Sequence, residues 1–181
     1  MGFAIVDIQG FFIEKKKFTP KELTLLKNGQ IAHFVFKEPY AFNKLPDVYK
    51  KQVVWLSNNH HCIKWNSGFI QPWRMDDILQ NLTDDVRVVY VKGHEKTEII
   101  SNFIPSKRVV ELPESPALVP DLPMCVFHQY NYCYCTLRNV YFIQDNFGDF
   151  IKKNFSEISE QNENDYNEVY KYDIEPMEIC S

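Results

Sequence analysis

The sequence of 181 residues predicts an α/β protein built on a mixed sheet. Three short apolar runs near the N-terminus, separated by turn residues, indicate an antiparallel meander. Segments with helical and strand patterns then alternate along the chain, and one of the strands is apolar on both faces, which is typical of a buried parallel strand. With 45% hydrophobic and 15% aromatic residues, the chain has the composition of a folded domain.

The meander occupies the first 36 residues. Its first strand is predicted at residues 3–8, closed by Gly10, and its second strand at residues 22–26. Asn28-Gly29 is a two-residue hairpin signature, and it leads into a third strand at residues 31–36. These three strands are therefore expected to be neighbours joined by tight turns.

The alternating part begins with a helix at residues 47–58, where valines and Leu56 are interleaved with lysines. A strand at residues 86–91, Val-Arg-Val-Val-Tyr-Val, is predicted to be central and parallel because both of its faces are apolar. Four prolines between Pro113 and Pro123 predict an extended segment. The remaining predicted elements are helices at residues 75–82, 95–103 and 136–150 and a strand at residues 108–112.

Charge divides the chain into a predicted domain and a tail. From Ser156 to Ser181 there are eight acidic residues and one lysine, whereas residues 1–155 carry 19 basic and 16 acidic side chains. We therefore predict a folded domain over residues 1–155 and an acidic, disordered tail over residues 156–181. The slight positive charge of the domain permits nucleic-acid binding.

Membrane and secreted classes are disfavoured. No segment reaches the roughly 20 consecutive apolar residues of a transmembrane helix, and the N-terminus lacks the basic region of a signal peptide. Five cysteines, three of them within eleven residues, do not fit a secreted disulfide framework. We expect an intracellular protein, cytoplasmic or nuclear or both, with no membrane partner.

One short segment is rich in metal-ligand side chains. Cys125, His128 and Cys135 have Cys-x2-His-x6-Cys spacing, and thiolates with a neutral imidazole are preferred ligands of Zn²⁺. A closed tetrahedral site needs a fourth ligand, either Cys133, which shares a strand face with Cys135, or a distant residue. The alternative is that these residues are buried without a metal, because free cysteine packs like a small hydrophobic residue.

Three other groups are weaker candidate sites. His60-His61-Cys62 could supply metal ligands or a catalytic pair, or be a loop with partly buried rings. Aromatic residues could stack nucleic-acid bases or pack the core: Tyr49, Trp55, Trp65, Phe69 and Trp73. Lysines could contact phosphates or be solvated: Lys15, Lys16, Lys17, Lys50 and Lys51.

The order of elements resembles the ribonuclease H-like fold, and in particular its DEDD exonuclease branch. Val6-Asp7-Ile8-Gln9-Gly10-Phe11 is similar to the first exonuclease motif, Asp-x-Glu-x-x-Gly, but Gln9 stands in place of the second carboxylate. Segments 59–63 and 90–95 stand where that branch has its His-Gly-Ile segment and its third acidic residue. Two-metal catalysis needs several carboxylates. The replacement at Gln9 therefore argues against ordinary metal-dependent exonuclease chemistry. Asp7 is the one catalytic candidate, and the alternative is that it is a solvated or hydrogen-bonded acid at a strand end.

The ligand-rich segment resembles one subfamily, the Maelstrom domain of germline RNA silencing. Pro20-Lys21-Glu22-Leu23 is similar to the motif that carries its glutamate, and Asn28 to Phe34 to its turn and return strand. Cys125-x2-His128 and Cys135-Thr136-Leu137 are similar to its Cys-x-x-His and Cys-Ala-Leu elements. The resemblance covers residues 3–145. It implies a structural zinc site with the ligands Glu22, Cys125, His128 and Cys135.

The resemblance also implies a function. It indicates a zinc-stabilised module with a degenerate exonuclease site that binds RNA or partner proteins in an RNA-silencing or mobile-element setting. Two alternatives stay open at this point. One is a divergent nuclease acting on single-stranded RNA, and the other is a protein-interaction adaptor with no nucleic-acid role.

Overall fold

A five-stranded mixed sheet forms the centre of the computed structural model, which describes residues 2–14, 17–114, 122–128 and 134–171. The strand order is β3-β2-β1-β4-β5, with β1–β3 antiparallel and β4 and β5 parallel to β1. The predicted meander and the central, parallel position of β4 are therefore confirmed. The strands are β1 (Gly2–Ile13), β2 (Lys17–Lys27), β3 (Gln30–Val35), β4 (Val86–Lys92) and β5 (Arg108–Leu112).

The alternation of side chains along β1 and β2 separates two faces of the sheet. Val6 pairs with Leu25, and Ile8 pairs with Leu23, so these apolar residues share one face. Asp7 pairs with Thr24, and Gln9 pairs with Glu22, which puts these polar residues on the opposite face. All four polar side chains are buried. The second face is thus where buried polar groups need partners.

The α-helices in the described part of the chain are α1 (Asp47–Asn59), α2 (Met75–Leu82), α3 (His94–Phe103) and α4 (Thr136–Lys171). Met75 and Leu79 of α2 and Ile99 and Ile100 of α3 belong to the apolar cluster that includes Val6. Val53 of α1 belongs to another cluster, built on Phe11, Ile13, Leu45 and Trp65. None of the helices in the described part of the chain has the length and apolarity of a membrane span.

A β-bulge interrupts the pairing of β1 with β2 next to the polar face. Gln9 pairs with Glu22 and Gly10 pairs with Pro20, so Lys21 faces no residue of β1. Beyond the bulge, Gly10 allows close contact between the strands, because a Cβ at this position would lie 2.3 Å from the carbonyl oxygen of Thr19. β1 therefore continues to Ile13, whereas the sequence predicted a strand end at Gly10.

Helix α4 differs from its prediction. It continues to Lys171, whereas we predicted a helix to Phe150 and a disordered acidic tail from Ser156. Neither glycine nor proline occurs between Gly148 and Pro176, so no helix-breaking residue opposes the continuation. Contacts divide the chain into two compact units, 1–146 and 147–181, and α4 begins in the first. The predicted boundary at residue 155 stays a prediction.

Candidate metal centre

Three separate elements bring the predicted ligands together. Glu22 lies on β2, Cys125 and His128 lie in a short turn, and Cys135 directly precedes α4. In the turn, the backbone N–H of His128 donates to the carbonyl of Cys125 at 3.3 Å, which brings both side chains to one side. The ligand atoms of all four residues lie within 4.8 Å of one another. Among the described residues, this group is the only one that could hold a metal ion.

The distances from Glu22 to the other three ligands are close to those of a tetrahedral metal site. Glu22 Oε1 lies 3.1 Å from Cys125 Sγ, 3.1 Å from His128 Nε2 and 3.7 Å from Cys135 Sγ. Zinc bonds of about 2.0–2.3 Å imply edges of roughly 3.3–3.8 Å between ligand atoms in a tetrahedron. These three distances differ from this range by a few tenths of an ångström at most, while all four ligand atoms lie within 4.8 Å of one another, so an ion requires some adjustment of the ligand positions.

The centre is closed to solvent and held by neighbours outside the ligand group. The side chains of Glu22 and His128 are fully buried, as is Cys135. The backbone N–H of Thr136, at the start of α4, donates to Glu22 Oε2 at 2.9 Å. His33 Nε2 lies 2.9 Å from Glu22 Oε1 and can donate to it. A partner of this kind orients a metal-ligating carboxylate.

Hydrogen bonds determine the charge of Glu22. Burial by itself raises the pKa of its carboxyl group, but the hydrogen bonds from His128, His33 and the N–H of Thr136 outweigh burial, and the pKa lies well below its usual value. Glu22 is therefore a carboxylate, which is the form that coordinates a metal ion.

The sulfur and imidazole groups respond to the same contacts. The hydrogen bond with Cys125 lowers the pKa of Cys135 to about 5, while the reverse contact and burial raise the pKa of Cys125. Burial opposes protonation of His128, but Cys135 and Glu22 together raise its pKa to about 9. Without a metal ion, the buried site thus holds a carboxylate and a thiolate beside an imidazolium. A divalent cation would replace the proton of His128 and neutralise the two negative charges.

Of the other predicted ligands, those that the structure describes do not join the centre. Cys133 lies outside the described residues. The His61 ring packs against Phe11 with ring centroids 4.8 Å apart, and burial lowers its pKa to about 3. Cys62 is disulfide-bonded, so it is not a thiol nucleophile here, whereas Cys125 and Cys135 form no disulfide.

Asp7 is 1% exposed, and both of its carboxylate oxygens already have partners. Lys96 Nζ of α3 donates to Oδ1 at 2.5 Å, and Asn139 Nδ2 of α4 donates to Oδ2 at 2.8 Å. Burial raises the pKa of Asp7, although Lys96 and Asn139 both oppose this. Gln9, which stands in place of the second carboxylate, is also buried. The side chain of Lys96 thus takes the place beside Asp7 that a catalytic metal ion would need.

The predicted phosphate-contacting lysines are only partly described, because Lys15 and Lys16 lie outside the described residues. Lys17 is exposed at the start of β2. Lys50 forms an ion pair with Asp47 at 2.8 Å, and Lys51 beside it on α1 is exposed. Of the tryptophans, Trp65 is buried, whereas Trp55 and Trp73 are exposed.

Sequence reasoning missed His33, Lys96 and Asn139. His33 had a usable signal, because the Asn28-Gly29 turn pairs Lys27 with Gln30 and therefore Thr24 with His33. That register puts His33 on the face of Glu22, one diagonal position away. Lys96 and Asn139 had no local signal, since they are 89 and 132 positions from Asp7.

The fold and this centre define an α/β protein with a five-stranded mixed sheet and a buried Glu-Cys-His-Cys group that could hold a metal ion. Comparison with protein-family models, curated proteins and solved structures gives no match for this chain.

The ion pair between Asp7 and Lys96 gives a first testable prediction. Replacing Lys96 by methionine leaves a buried carboxylate without its cation and is expected to lower the free energy of unfolding by about 2–4 kcal/mol in urea titrations at pH 7. The pKa of Asp7 would rise further. A carboxyl group whose folded-state pKa lies above the unfolded value of 3.8 stabilises the fold at low pH, and this stabilisation is lost as the pH rises through the folded-state pKa. The loss of stability relative to wild type should therefore grow as the pH increases from the folded-state pKa of Asp7 in the wild type towards its pKa in the variant.

Matched variants distinguish loss of the Asp7–Lys96 ion pair from the general effect of replacing a lysine by methionine on stability. Lys51→Met changes an exposed lysine and is expected to alter stability by no more than about 0.5 kcal/mol. In the Asp7→Asn, Lys96→Met double variant, the buried charge is gone, so the two losses should not add. Equal stability of the Lys96→Met and Lys51→Met proteins would contradict the ion pair.

Proposed function

We propose that the chain is a Maelstrom-type, ribonuclease H-like module that contains a structural zinc ion and binds single-stranded RNA inside the cell, in an RNA-silencing or mobile-element setting. Two features support this proposal. The antiparallel meander β1–β3 is followed by helices α1 and α2, strand β4, helix α3 and strand β5, which is similar to the ribonuclease H-like order with one additional helix before β4. The four residues that the resemblance implies as ligands form one buried group.

Zinc fits the donor set better than Mg²⁺ or Ca²⁺. Two sulfurs, one imidazole and one carboxylate are ligands that Zn²⁺ accepts in a tetrahedral site, whereas Mg²⁺ and Ca²⁺ need oxygen ligands. Four protein ligands leave no position for a water molecule or a substrate. Such an ion stabilises the fold by joining β2, the 125–128 turn and the start of α4, and it does not activate water.

The observation that carries the proposal of a binding module is the environment of Asp7. A two-metal nuclease holds its ions between several carboxylates. Here Gln9 replaces one carboxylate, and Lys96 and Asn139 engage both oxygens of Asp7. This arrangement supports a module that lacks the metal-dependent cleavage of DEDD exonucleases, and RNA binding is the part of the proposal that the resemblance implies.

The test combines metal analysis with an RNA assay. Purified protein is expected to contain about one zinc ion per chain. It should bind 5′-labelled single-stranded RNA and leave the RNA uncut, with or without Mg²⁺. Mg²⁺-dependent cleavage that Asp7→Asn abolishes would instead identify the divergent nuclease. Absence of zinc, or of any RNA binding, would contradict the proposal.

The protein-interaction adaptor is a second candidate, favoured by exposed apolar side chains beside the metal centre. Val126 is 94% exposed and Phe69 is 75% exposed, and Phe69 contacts Phe127 with ring centroids 5.7 Å apart. Apolar groups of this kind often mark protein-binding surfaces. The adaptor predicts a zinc-containing protein that fails to bind RNA in the same assay.

A further inference from the structure

Three aromatic rings at the surface lie in a row. The Trp55 and His60 rings have centroids 6.4 Å apart with an interplanar angle of 20°, and the His60 and Tyr134 rings are 4.3 Å apart at 24°. By contrast, the rings of Phe11 and His61, which are both buried, meet at 72°. Near-parallel rings give flat faces, which a further planar group can extend.

The two outer rings of this row are open to solvent. Trp55 is 57% exposed and Tyr134 is 48% exposed. Burying apolar surface in the fold therefore does not explain why two large aromatic side chains lie here. Their exposure also means that either can be replaced without leaving a cavity in the core.

Backbone contacts hold the row in place. His60 directly follows α1, and its N–H donates to the carbonyl of Leu56 at 3.1 Å. The N–H of Tyr134 donates to the carbonyl of His60 at 2.9 Å, which places the third ring beside the second. Tyr134 is also the residue before the predicted ligand Cys135. The row is thus anchored to a helix end on one side and to the metal centre on the other.

Two recesses adjoin the row, one on each side of α1. Trp55 lines a recess of about 490 Å³ together with Phe42, Lys51 and Asn58. His60 lines a smaller one of about 180 Å³ together with Gln9, Gln52 and Lys96. Amide and ammonium groups in both recesses could bind the edges of bases or phosphate oxygens beside a stacked ring.

The charge around the row is small. Lys50 is paired with Asp47, and Lys96 is paired with Asp7. Glu95 adds a negative charge at the smaller recess. Lys51, which is exposed, has no ion-pair partner among the described residues, and it is one cation available for phosphate. Binding at this surface would therefore depend on stacking more than on phosphate contacts.

We propose that the Trp55–His60–Tyr134 row is a binding site for the unpaired bases of a single-stranded nucleic acid. This inference rests on the proposed function and names the surface where it is carried out. Paired bases in a duplex present only their edges, so the site selects single strands. RNA and DNA share the stacking chemistry and differ at the ribose hydroxyl.

The test is a titration of fluorescein-labelled 12-nucleotide RNA, DNA of the same sequence and the RNA duplex, followed by fluorescence anisotropy. Trp55→Ala is expected to weaken binding of the single strand roughly 5- to 100-fold. Trp55→Phe keeps a stacking ring and should retain most of the affinity. Trp73→Ala is the matched control, because Trp73 is 67% exposed and lies on a different segment.

Salt dependence provides a second measurement. With one or two phosphate contacts, log K should fall against log salt concentration with a slope of roughly −0.7 to −1.4. A slope steeper than about −4, with equal affinity for the duplex, would identify a phosphate-binding surface and overturn the stacking site. The ratio of RNA to DNA affinity shows whether the ribose is contacted.

The outcomes separate the two proposals. If the wild-type protein binds single strands and Trp55→Ala binds them equally well, the stacking site is wrong while the proposed RNA-binding function stands. If the wild-type protein binds neither strand, both are wrong. Selective loss on Trp55→Ala, with circular dichroism unchanged and the Trp73→Ala protein unaffected, supports the site.

Discussion

A Cys135→Ser protein is expected to lose its zinc and to be unfolded, or nearly so, at 25 °C. A structural zinc site contributes about 10–16 kcal/mol to the folded state of small domains, whereas the net stability of a domain is about 5–15 kcal/mol. Without the metal, this variant would keep the carboxylate of Glu22 and the imidazole of His128 fully buried with no ion to coordinate them. Loss of the ion therefore removes about as much free energy as the fold has.

Chelation of the wild-type protein tests the same claim without a substitution. Adding a high-affinity chelator should remove cooperative thermal unfolding observed by circular dichroism, and returning Zn²⁺ should restore it. A melting curve that chelator leaves unchanged, in protein shown by mass spectrometry to be free of metal, would contradict a structural metal.

A variant outside the ligand group keeps the prediction testable if Cys135→Ser fails to fold. His33→Ala removes the group that donates to Glu22 Oε1 and should weaken zinc binding roughly 10- to 100-fold, measured by competition with a chromogenic chelator. His94→Ala is the control, because His94 is exposed and contacts Glu111 on the surface. Equal zinc affinity of the two variants would exclude an orienting role for His33.

The parts of the fold that sequence reasoning predicted well have local signals. Helix α2 and strand β5 begin and end at the predicted residues, Met75–Leu82 and Arg108–Leu112. The Asn28-Gly29 turn correctly predicted the β2–β3 hairpin. Short-range periodicity and turn residues are enough to predict these elements, because their bounds depend mainly on residues that are close in sequence.

The candidate site was predictable to a smaller extent. Cys125, His128 and Cys135 stand close enough in sequence for their spacing to indicate a metal, whereas Glu22 is 103 positions before Cys125. Only the resemblance named Glu22, because the contact depends on how β2 and the start of α4 meet. Lys96 could not be predicted as the partner of Asp7 either, because their contact depends on the parallel pairing of β1 with β4.

Lys21 is the residue whose environment the sequence predicts least well. A lysine in a strand is normally placed at the surface, yet Lys21 is 1% exposed. Because it occupies the bulge in β2, its side chain departs from the strand alternation. Its ammonium group donates to three backbone carbonyls, of Phe36 at 2.8 Å, Trp65 at 2.7 Å and Ser67 at 2.7 Å. Burial lowers its pKa to about 8.

These contacts give Lys21 a structural role that a hydrophobic residue cannot take over. The ammonium group joins the end of β3 to the loop at residues 65–67, and it satisfies carbonyls that water does not reach. Lys21→Met keeps a long side chain and removes all three donors. Each unsatisfied buried carbonyl costs about 1–3 kcal/mol.

The Lys21→Met protein is therefore expected to lose about 3–5 kcal/mol of unfolding free energy in urea titrations, with zinc present in excess. Lys17→Met, at the exposed start of the same strand, should change stability by less than about 0.5 kcal/mol. Since Lys21 directly precedes Glu22, relaxation of the bulge should also move the carboxylate and weaken zinc binding. A Lys21→Met protein as stable as Lys17→Met, with unchanged zinc affinity, would show that the bulge keeps its geometry without the ammonium group.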